Sequence, residues 1–205
     1  MPLLVIGLNH TTAPVSIRER LTFGPDIIVA ALRSLTEIPG IHEAVILSTC
    51  NRTEVYCHAD DDADEWTRDW LARFHGLSVE DIAPYLYLHE GRHVIGHLLS
   101  VASGLDSLVL GEPQILGQVK NAFQTASDAG RTGKILTRLF QHSFTTAKQV
   151  RTDTAIGDSP VSVAFAAVSL ARQIFADLSQ QTALLIGAGE TVELAARHLV
   201  QNGIG

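Results

Sequence analysis

The chain has 205 residues, 46% of them hydrophobic, which is enough to bury the core of one large domain or two small ones. Its formal net charge of -7 argues against indiscriminate binding to a polyanion. Only two cysteines are present, Cys50 and Cys57, and they form neither a disulfide framework nor a CxxC metal pair. This cysteine usage favours a reducing compartment.

The first part of the sequence predicts a small α+β unit. Residues 3–8, 42–47 and 53–58 have the apolar runs or alternation of strands, and residues 25–35 and 63–74 have helical patterns. No basic segment precedes a long apolar stretch at the N-terminus, so we interpret its first apolar run as a core strand and not as a signal peptide.

From residue 91 onward the pattern is helical. Four helices are predicted, at residues 91–103, 117–130, 134–150 and 160–178. The last of these is the longest apolar region, and its interrupting polar residues argue against a transmembrane span, so we expect a cytoplasmic protein without membrane contact.

Basic residues are concentrated between residues 117 and 151. This stretch holds six basic residues and the single acid Asp128, a local excess of five positive charges. Phosphate groups could dock on such a surface, but a solvated helix face is an equally good explanation.

Cys50 is a candidate nucleophile because polar residues surround it between two predicted strands. A thiol reacts as the thiolate, which needs exposure and nearby cations or hydrogen-bond donors. Arg52, Thr49 and Asn51 supply such groups. An isolated cysteine is more often small, buried and inert. That interpretation suits Cys57, on the apolar face of a strand, better than Cys50.

Three histidines, His89, His93 and His97, follow one another at i, i+4 spacing. Two imidazoles on one helix face can bind zinc, but the sequence has no HExxH, no obvious third ligand and no thiolate pair, so we predict no metal site. A core or exposed histidine is the usual case. The functional alternative is that one of the three faces Cys50 as an acid or base, and the sequence does not select which.

The loop at residues 104–118 mixes glycines, a proline, glutamines, a serine and a glutamate between two predicted helices. Its side chains form hydrogen bonds and are not cationic, so they suit an ammonium group and carbonyls better than phosphate. We therefore expect it to line a pocket. The alternative is an ordinary helix connection with capping residues, for which this loop is long and patterned.

The last segment predicts the opening of a dinucleotide-binding fold. Residues 182–186 read as a short buried strand, followed by a glycine turn and a helix. Val192 stands where the third glycine of GxGxxG would be. A complete sheet of this type needs several such units, so we expect the N-terminal piece of a longer protein. Turn residues at 153–160 place the domain boundary near residue 155, giving domains 1–155 and 156–205.

These motifs, taken in order, resemble the glutamyl-tRNA reductase family over essentially the whole chain. The resemblance rests on residues 7–15 (GLNHTTAPV) with Arg18 and Glu19, on 48–54 (STCNRTE), on 101–118 and on 187–191 (GAGET). It implies an α+β catalytic domain, then a helix and the first βα unit of a Rossmann-like α/β domain that is truncated here.

The resemblance also implies an activity and its residues. The family reduces glutamyl-tRNA to glutamate 1-semialdehyde with NADPH, through a thioester on Cys50, as the first step of tetrapyrrole biosynthesis. His97 is implied as a second catalytic residue. The implied substrate-binding residues are Thr49, Asn51, Arg52, Ser107, Glu112, Pro113, Gln114 and Gln118. The implied NADPH loop comprises Gly187, Ala188, Gly189, Glu190, Thr191 and Val192.

Within this resemblance we interpret Arg52 as the partner of the substrate carboxylate, because its fork of N–H donors matches a carboxylate. The expected partners are glutamyl-tRNA, a second copy of the protein through a C-terminal domain outside this sequence, and a downstream aminomutase or regulatory protein. We expect the piece itself to bind substrate and undergo acylation or deacylation without efficient reduction.

Two alternatives belong to other classes. One is a non-catalytic module that docks tRNA or a regulatory partner and has an inert Cys50. The other is an ordinary NAD-dependent dehydrogenase, which the glycine turn alone supports and which leaves the Cys50 segment unexplained.

Overall fold

The computed structural model describes residues 3–157, 163–175, 177–187 and 189–204. Its N-terminal half contains a four-stranded antiparallel sheet with the strand order β2-β3-β1-β4. The strands are β1 (Leu3–Asn9), β2 (Ile41–Ser48), β3 (Arg52–Ala59) and β4 (Tyr87–Glu90). The predicted α+β class is confirmed, and β4 is a strand that the sequence pattern did not reveal.

Helices surround this sheet and continue beyond it. They are α1 (Val15–Arg20), α2 (Ile28–Thr36), α3 (Ala63–Phe74), α4 (Val79–Ile82), α5 (Arg92–Ser103), α6 (Gln114–Asp128), α7 (Lys134–Asp153), α8 (Val163–Ile174) and α9 (Glu190–Gln201). The predicted helices all have counterparts here. Residues 160–162, at the start of one prediction, lie outside the described residues.

The two faces of the sheet are covered by different helices. Successive side chains of β3 point to opposite faces. The ring of Tyr56 lies 5.5 Å from that of Phe140 in α7, whereas the thiol of the next residue, Cys57, interacts with Thr67 of α3. Helices α3 and α7 therefore pack on opposite faces of the sheet.

A buried carboxylate attaches α7 to the sheet. Glu43 of β2 is 7% exposed and accepts hydrogen bonds from the first backbone N–H groups of α7, at Ile135 (3.1 Å) and Leu136 (2.8 Å). A negative charge is favourable at a helix N-terminus, where N–H groups lack intrahelical partners. This contact fixes where α7 begins and how it lies on the sheet.

The central strands approach each other closely at Gly7 of β1, which pairs with Glu54 of β3. A Cβ at Gly7 would lie 2.7 Å from both Cγ of Glu54 and the carbonyl oxygen of Thr53. Only glycine fits at this position without displacing a neighbouring atom.

The strand predicted at residues 182–186 is wrong. The structure has no strand there, and Leu184 and Ile186 are 84% and 83% exposed. A strand needs a neighbour for its backbone hydrogen bonds, and no described strand pairs with this segment. The helix after the glycine turn, α9, is confirmed, so only the helical half of the predicted βα unit is present in the structure.

Among the described residues, no helix is both long enough and apolar enough to cross a membrane. In the same part of the chain, no three His, Cys, Asp or Glu side chains are grouped so that they could hold a metal ion.

Candidate active site

Cys50 lies in a three-residue turn between β2 and β3, as the sequence predicted, and its side chain is exposed. The turn is closed by the Thr49 N–H, which donates to the carbonyl of Arg52 (2.8 Å). The Thr49 hydroxyl accepts from the N–H groups of Asn51 (3.2 Å) and Arg52 (3.1 Å). This hydroxyl therefore takes the place of a backbone acceptor and fixes the turn.

An arginine from another element holds the same turn. Nη1 of Arg18, in α1, donates to the carbonyl of Cys50 (2.6 Å) and to Oδ1 of Asn51 (3.1 Å), while its Nε donates to the carbonyl of Ala13 (3.2 Å). The cation nearest to the backbone of Cys50 is thus Arg18 and not Arg52. From the sequence, Arg18 was assigned only to a family motif. No contact with Cys50 was predicted, because 32 residues separate the two.

A small cavity of about 80 Å³ opens beside Cys50. Its described lining comprises Thr49, Cys50, Asn51, Glu112, Gln114, Gln118, Ala164, Thr191 and Leu194. Ligand pockets typically measure about 300–1,000 Å³, so this one suits a short acyl chain and not a nucleotide. Six of the residues predicted from sequence to act in catalysis or substrate binding therefore meet at one cavity.

The start of α6 places two of the glutamines there. The sequence predicted this helix from residue 117, but it begins at Gln114, directly after Pro113, whose fixed φ is compatible with a helix start. Gln114 and Gln118 are then one turn apart and share a face. Pro113 itself is exposed and does not line the cavity.

The loop between α5 and α6 is closed and anchored from α7. The N–H of Gly111 donates to the carbonyl of Gly104 (2.8 Å), and a Cβ at Gly111 would lie 2.7 Å from the carbonyl oxygen of Ile156. Arg151 donates to the carbonyls of Gly111 (3.1 Å) and Glu112 (3.3 Å). The C-terminal end of α7 thus holds Glu112, which is 8% exposed, at the Cys50 cavity.

Arg52 is not at that cavity. Its side chain is 2% exposed, and its Nη1 donates to the carboxylate of Glu54 at 2.6 Å. Its Nη2 donates to the backbone carbonyl and the carboxylate of Asp106, the latter at 3.1 Å. Burial alone lowers the pKa of Arg52, but Glu54 and the other groups around it outweigh this and raise it.

Glu54 is the centre of a buried polar network. Its carboxylate accepts from Arg52, from the hydroxyls of Tyr56 (2.6 Å) and Tyr87 (2.5 Å), and lies 2.8 Å from Nε2 of His97. Burial raises the pKa of Glu54, but the hydrogen bond from His97 and the charge of Arg52 lower it to about 2. Glu54 is therefore an anion at neutral pH.

The position of His97 differs from the expectation that a histidine of this helix would face Cys50. His97 lies against Glu54 and against the rings of His89 (4.6 Å) and Tyr87 (5.4 Å), and it is not among the described residues that line the Cys50 cavity. It contacts the network around Arg52, on the face of the sheet that α7 covers.

Two buried polar atoms near this network have no hydrogen-bond partner among the described residues, namely Nδ1 of His10 and Oγ of Ser107. Burial and the charge of Arg52 lower the pKa of His10, so its imidazole is neutral at neutral pH. Buried polar atoms are usually paired, and unpaired ones indicate a place where a ligand group can bind. Ser107 was predicted to bind substrate, whereas His10 was not.

Sequence reasoning missed Glu54, Asp106 and Tyr87 as well. Glu54 was part of the quoted motif around Cys50 but was given no role, since nothing in a sequence shows that a glutamate is completely buried. Asp106 and Tyr87 come from other elements, and only the fold brings them to Arg52.

The glycine turn before α9 lies close to the same cavity. Gly187 has a φ of 120°, and Gly189 precedes α9 without a side-chain cap. Thr191, in the first turn of α9, lines the Cys50 cavity, and Val192 lies close to Gly187. Ala188 and the side chain of Glu190 lie outside the described residues.

Cys57 is different from Cys50. Its side chain is fully buried, and burial raises the pKa of its thiol to about 12. A thiol with this pKa is neutral at pH 7 and does not act as a nucleophile.

Two family models match different parts of the chain. The family model described as "Glutamyl-tRNAGlu reductase, N-terminal domain" matches residues 6–154, and that for "Shikimate / quinate 5-dehydrogenase" matches residues 169–205. Proteins named glutamyl-tRNA reductase from Alkalilimnicola ehrlichii and Nitrosococcus oceani are 61% and 58% identical over 204 and 205 residues, which is 100% of this chain and 46% and 49% of those proteins.

A solved structure agrees. The glutamyl-tRNA reductase of Methanopyrus kandleri superposes with a TM-score of 0.71 at 33% identity, covering 98% of this chain and 47% of that one. The chain thus spans about half the length of the relatives that it matches. Because the N-terminal-domain model covers well over half of its residues, the chain belongs to the glutamyl-tRNA reductase family.

Proposed function

We propose that this chain is the part of a glutamyl-tRNA reductase that binds the glutamyl group and accepts it on Cys50. Residues 1–155 form the catalytic domain, and residues 156–205 begin the nucleotide domain. The ranges matched by the two family models, 6–154 and 169–205, support this division. The observation that carries the proposal is an exposed Cys50 at a cavity that Gln114, Gln118 and Glu112 also line.

In the proposed reaction, Sγ of Cys50 attacks the carbonyl carbon of the glutamyl ester. A C–S bond forms, the ester C–O bond breaks, and the thiol proton leaves with the ribose hydroxyl. A thioester carbonyl is more electrophilic than that of an oxygen ester, and covalent capture divides one difficult displacement into two easier steps. Gln114 and Gln118 offer amide donors and Glu112 an acceptor, which suit the carbonyl and the ammonium group of the substrate.

Arg52 is proposed to hold the side-chain carboxylate of the substrate. In the structure, Asp106 occupies one edge of the guanidinium, and its side chain is 37% exposed, so it can move away. A substrate carboxylate would then replace one carboxylate by another on the same donors. The unpaired Ser107 Oγ beside Asp106 supports a polar ligand group at this place.

His97 and Glu54 act on this arrangement as positioning residues. The hydrogen bond from His97 and the charge of Arg52 keep Glu54 ionised, and Glu54 in turn holds Nη1 of Arg52. His97 thus influences substrate binding through Glu54 and does not need to touch the thiol.

The start of α9 fits the phosphates of NADPH. Gly187 and Gly189 allow close approach of the backbone, and no side chain caps the helix, so its first N–H groups suit an anion. A bound NADPH would supply the hydride that reduces the acyl carbonyl to an aldehyde, with the sulfur of Cys50 leaving as a thiolate. Thr191, which lines the Cys50 cavity, supports a nicotinamide position near the thioester.

The same proposal includes glutamyl-tRNA as the partner, a homodimer of the whole protein, and the cytoplasm as its location. A reducing compartment keeps the exposed Cys50 available as a thiol.

The test is transfer of labelled glutamate from glutamyl-tRNA to the chain, with Cys50→Ser and Cys57→Ser as a matched pair. We expect labelling of the wild type and Cys57→Ser, and its loss in Cys50→Ser. Equal labelling of both variants would overturn the proposal. Salt-sensitive tRNA binding without any labelling would instead favour a docking module with an inert cysteine.

A further inference from the structure

Helix α7 carries a stripe of cationic and hydrogen-bonding side chains on its outer face. Positions i, i+4, i+7, i+11 and i+14 of a helix fall on one face, and in α7 they are Lys134, Arg138, Gln141, Thr145 and Lys148. All five are exposed. The opposite face of α7 is buried: Phe140 contacts Tyr56 of the sheet, and Ala147 packs against Ala102 of α5 and Leu116 of α6.

The cations of this stripe are free. Arg131 and Arg151, just outside it, are bound to protein oxygens, but Lys134, Arg138 and Lys148 have no ion-pair partner within the described ranges. The helix has a single acid, Asp153, at its last residue. Surface cations are normally interspersed with acids, so an acid-free stripe on a chain with a net charge of -7 indicates attraction to an anion.

The densest run of acidic residues in the sequence lies away from α7. Five of them lie within residues 60–65, at the start of α3, which packs on the opposite face of the sheet from α7. This acidic run therefore does not lie on the face of α7 that a polyanion would approach.

A groove of about 780 Å³ runs along the N-terminal half of the stripe. Apolar side chains such as Ile95 and Ile135 contribute to its walls, while Lys134, Arg138 and His142 supply polar groups, and no carboxylate occurs among its described lining residues. A backbone of phosphates and sugars matches this combination of cations and apolar contact area.

The C-terminal end of the stripe, at Lys148, lies next to the proposed active site. Arg151 binds the backbone of Glu112, which lines the Cys50 cavity, and Lys148 is one turn away along α7. At about 1.5 Å per residue, Lys134 lies roughly 25 Å from Arg151 along the helix axis. An acyl-RNA whose 3′ end reaches Cys50 can therefore extend its backbone along α7.

We propose that the stripe formed by Lys134, Arg138, Gln141, Thr145 and Lys148 is a docking surface for the phosphate backbone of the tRNA whose glutamyl end reacts at Cys50. The inference rests on the proposed function, to which it adds the surface that the RNA occupies. Lys134, Arg138 and Lys148 each contact phosphate, and the amide of Gln141 donates a hydrogen bond between them, while the Thr145 hydroxyl, which donates to the Gln141 carbonyl (3.2 Å), offers only its acceptor lone pairs.

The test compares two variants that remove the same charge from exposed positions. Arg138→Gln with Lys148→Gln removes two cations from the stripe, and Arg33→Gln with Arg73→Gln removes two from α2 and α3. A tRNA(Glu) transcript without an attached amino acid is titrated at several salt concentrations. The association constant falls as salt is added, so a plot of its logarithm against the logarithm of the salt concentration has a negative slope. We expect the magnitude of this slope to decrease by about two for the α7 variant and not for its control.

In the same titration the dissociation constant of the α7 variant should rise roughly tenfold to a hundredfold near 0.1 M salt, and that of the control less than twofold. Unchanged binding by the α7 variant, or equal weakening in both variants, would overturn the docking surface. Unchanged binding would instead favour a protein partner as the occupant of the groove.

A second measurement separates this inference from the proposed function. Acylation of Cys50 by a small glutamyl thioester without RNA should have the same rate in wild type and α7 variant. Acylation by glutamyl-tRNA should need a higher substrate concentration in the variant. Failure of the wild type to accept glutamate from tRNA would refute the proposed function, while a charge-specific loss of tRNA binding would still support the docking surface.

Discussion

Glu54→Gln is the substitution that tests the buried network most sharply. The glutamine has nearly the same shape as the glutamate but no charge. Only one of its two terminal atoms, the amide oxygen, can accept hydrogen bonds, whereas both carboxylate oxygens of the glutamate can. Arg52, 2% exposed, then keeps its charge beside Asp106 alone, and two phenol hydroxyls lose an ionised acceptor. The variant thus separates the charge of Glu54 from the space that it fills.

The expected loss of stability follows from burial. Removing one partner of a buried ion pair costs about 3–5 kcal/mol, because the other charge stays in the interior without compensation. The lowering of the pKa of Glu54 from 4.5 to about 2 corresponds to about 3 kcal/mol, which agrees with the lower end of that range. For a chain of this length the melting temperature should fall by about 6–20 °C.

The same shift predicts a pH dependence. The pKa of Glu54 is lower in the folded chain than in the unfolded one, so its contribution is fully present above about pH 4.5. It is lost as the pH falls from 4.5 toward 2, because the folded state must then bind a proton at a site that stabilises the anion. Glu54→Gln should remove this part of the acid dependence of the unfolding free energy.

Urea unfolding followed by circular dichroism measures both effects. Glu80→Gln, an exposed glutamate in α4, is the control and should change the unfolding free energy by less than about 0.5 kcal/mol. The double variant Arg52→Met with Glu54→Gln should recover part of the loss, since it removes both buried charges. A Glu54→Gln variant as stable as the control would refute the reasoning.

Three further predictions concern Arg52, the cysteines and the glycines. Arg52→Lys keeps the charge but loses the forked pair of guanidinium donors. Half-maximal acylation of the chain should therefore need about tenfold more glutamyl-tRNA, with an unchanged maximal rate. An unchanged half-maximal concentration would contradict the proposed role of Arg52. A thiol reagent should modify Cys50 alone in the folded chain and also Cys57 in urea, as mass spectrometry would show; rapid double modification without urea would contradict the burial of Cys57. Gly7→Ala should lower the unfolding free energy by about 1–3 kcal/mol, whereas Gly117→Ala, in open space on α6, should raise it by about 0.5–1 kcal/mol; equal effects would argue against the close strand approach.

Local patterns were sufficient for most of the fold. Apolar runs and alternation located three of the four strands of the described sheet, and helical periodicity located α2, α3 and α5 to α9, since both depend on neighbours in the sequence. The short helices α1 and α4 were not predicted. β4, at Tyr87–Glu90, has only four residues, three half-buried and one exposed, and lacked a clear signal. The wrong strand at residues 182–186 has the right composition, but a strand also needs a partner, and none of the described strands pairs with it.

The residues of the candidate site also fall into those that the sequence predicted and those that it did not. Residues close to Cys50 in the sequence, or on the first turns of α6, were found because spacing and motif placed them there. Arg18 and Asp106 come from distant segments, and their contacts depend on how α1 and the loop after α5 pack. The burial of Arg52 was likewise beyond sequence reasoning, because a charged residue is rarely buried and its partners were not evident.

The most direct test of the central claim is to find where the glutamyl group is bound after the chain has reacted with glutamyl-tRNA. The chain is quenched in acid, which preserves a thioester, digested, and its peptides are analysed by mass spectrometry before and after treatment with hydroxylamine. We predict a glutamyl adduct on the peptide that contains Cys50, and its removal by hydroxylamine. An adduct on any other residue, or none on Cys50 while the chain binds tRNA, would contradict the account.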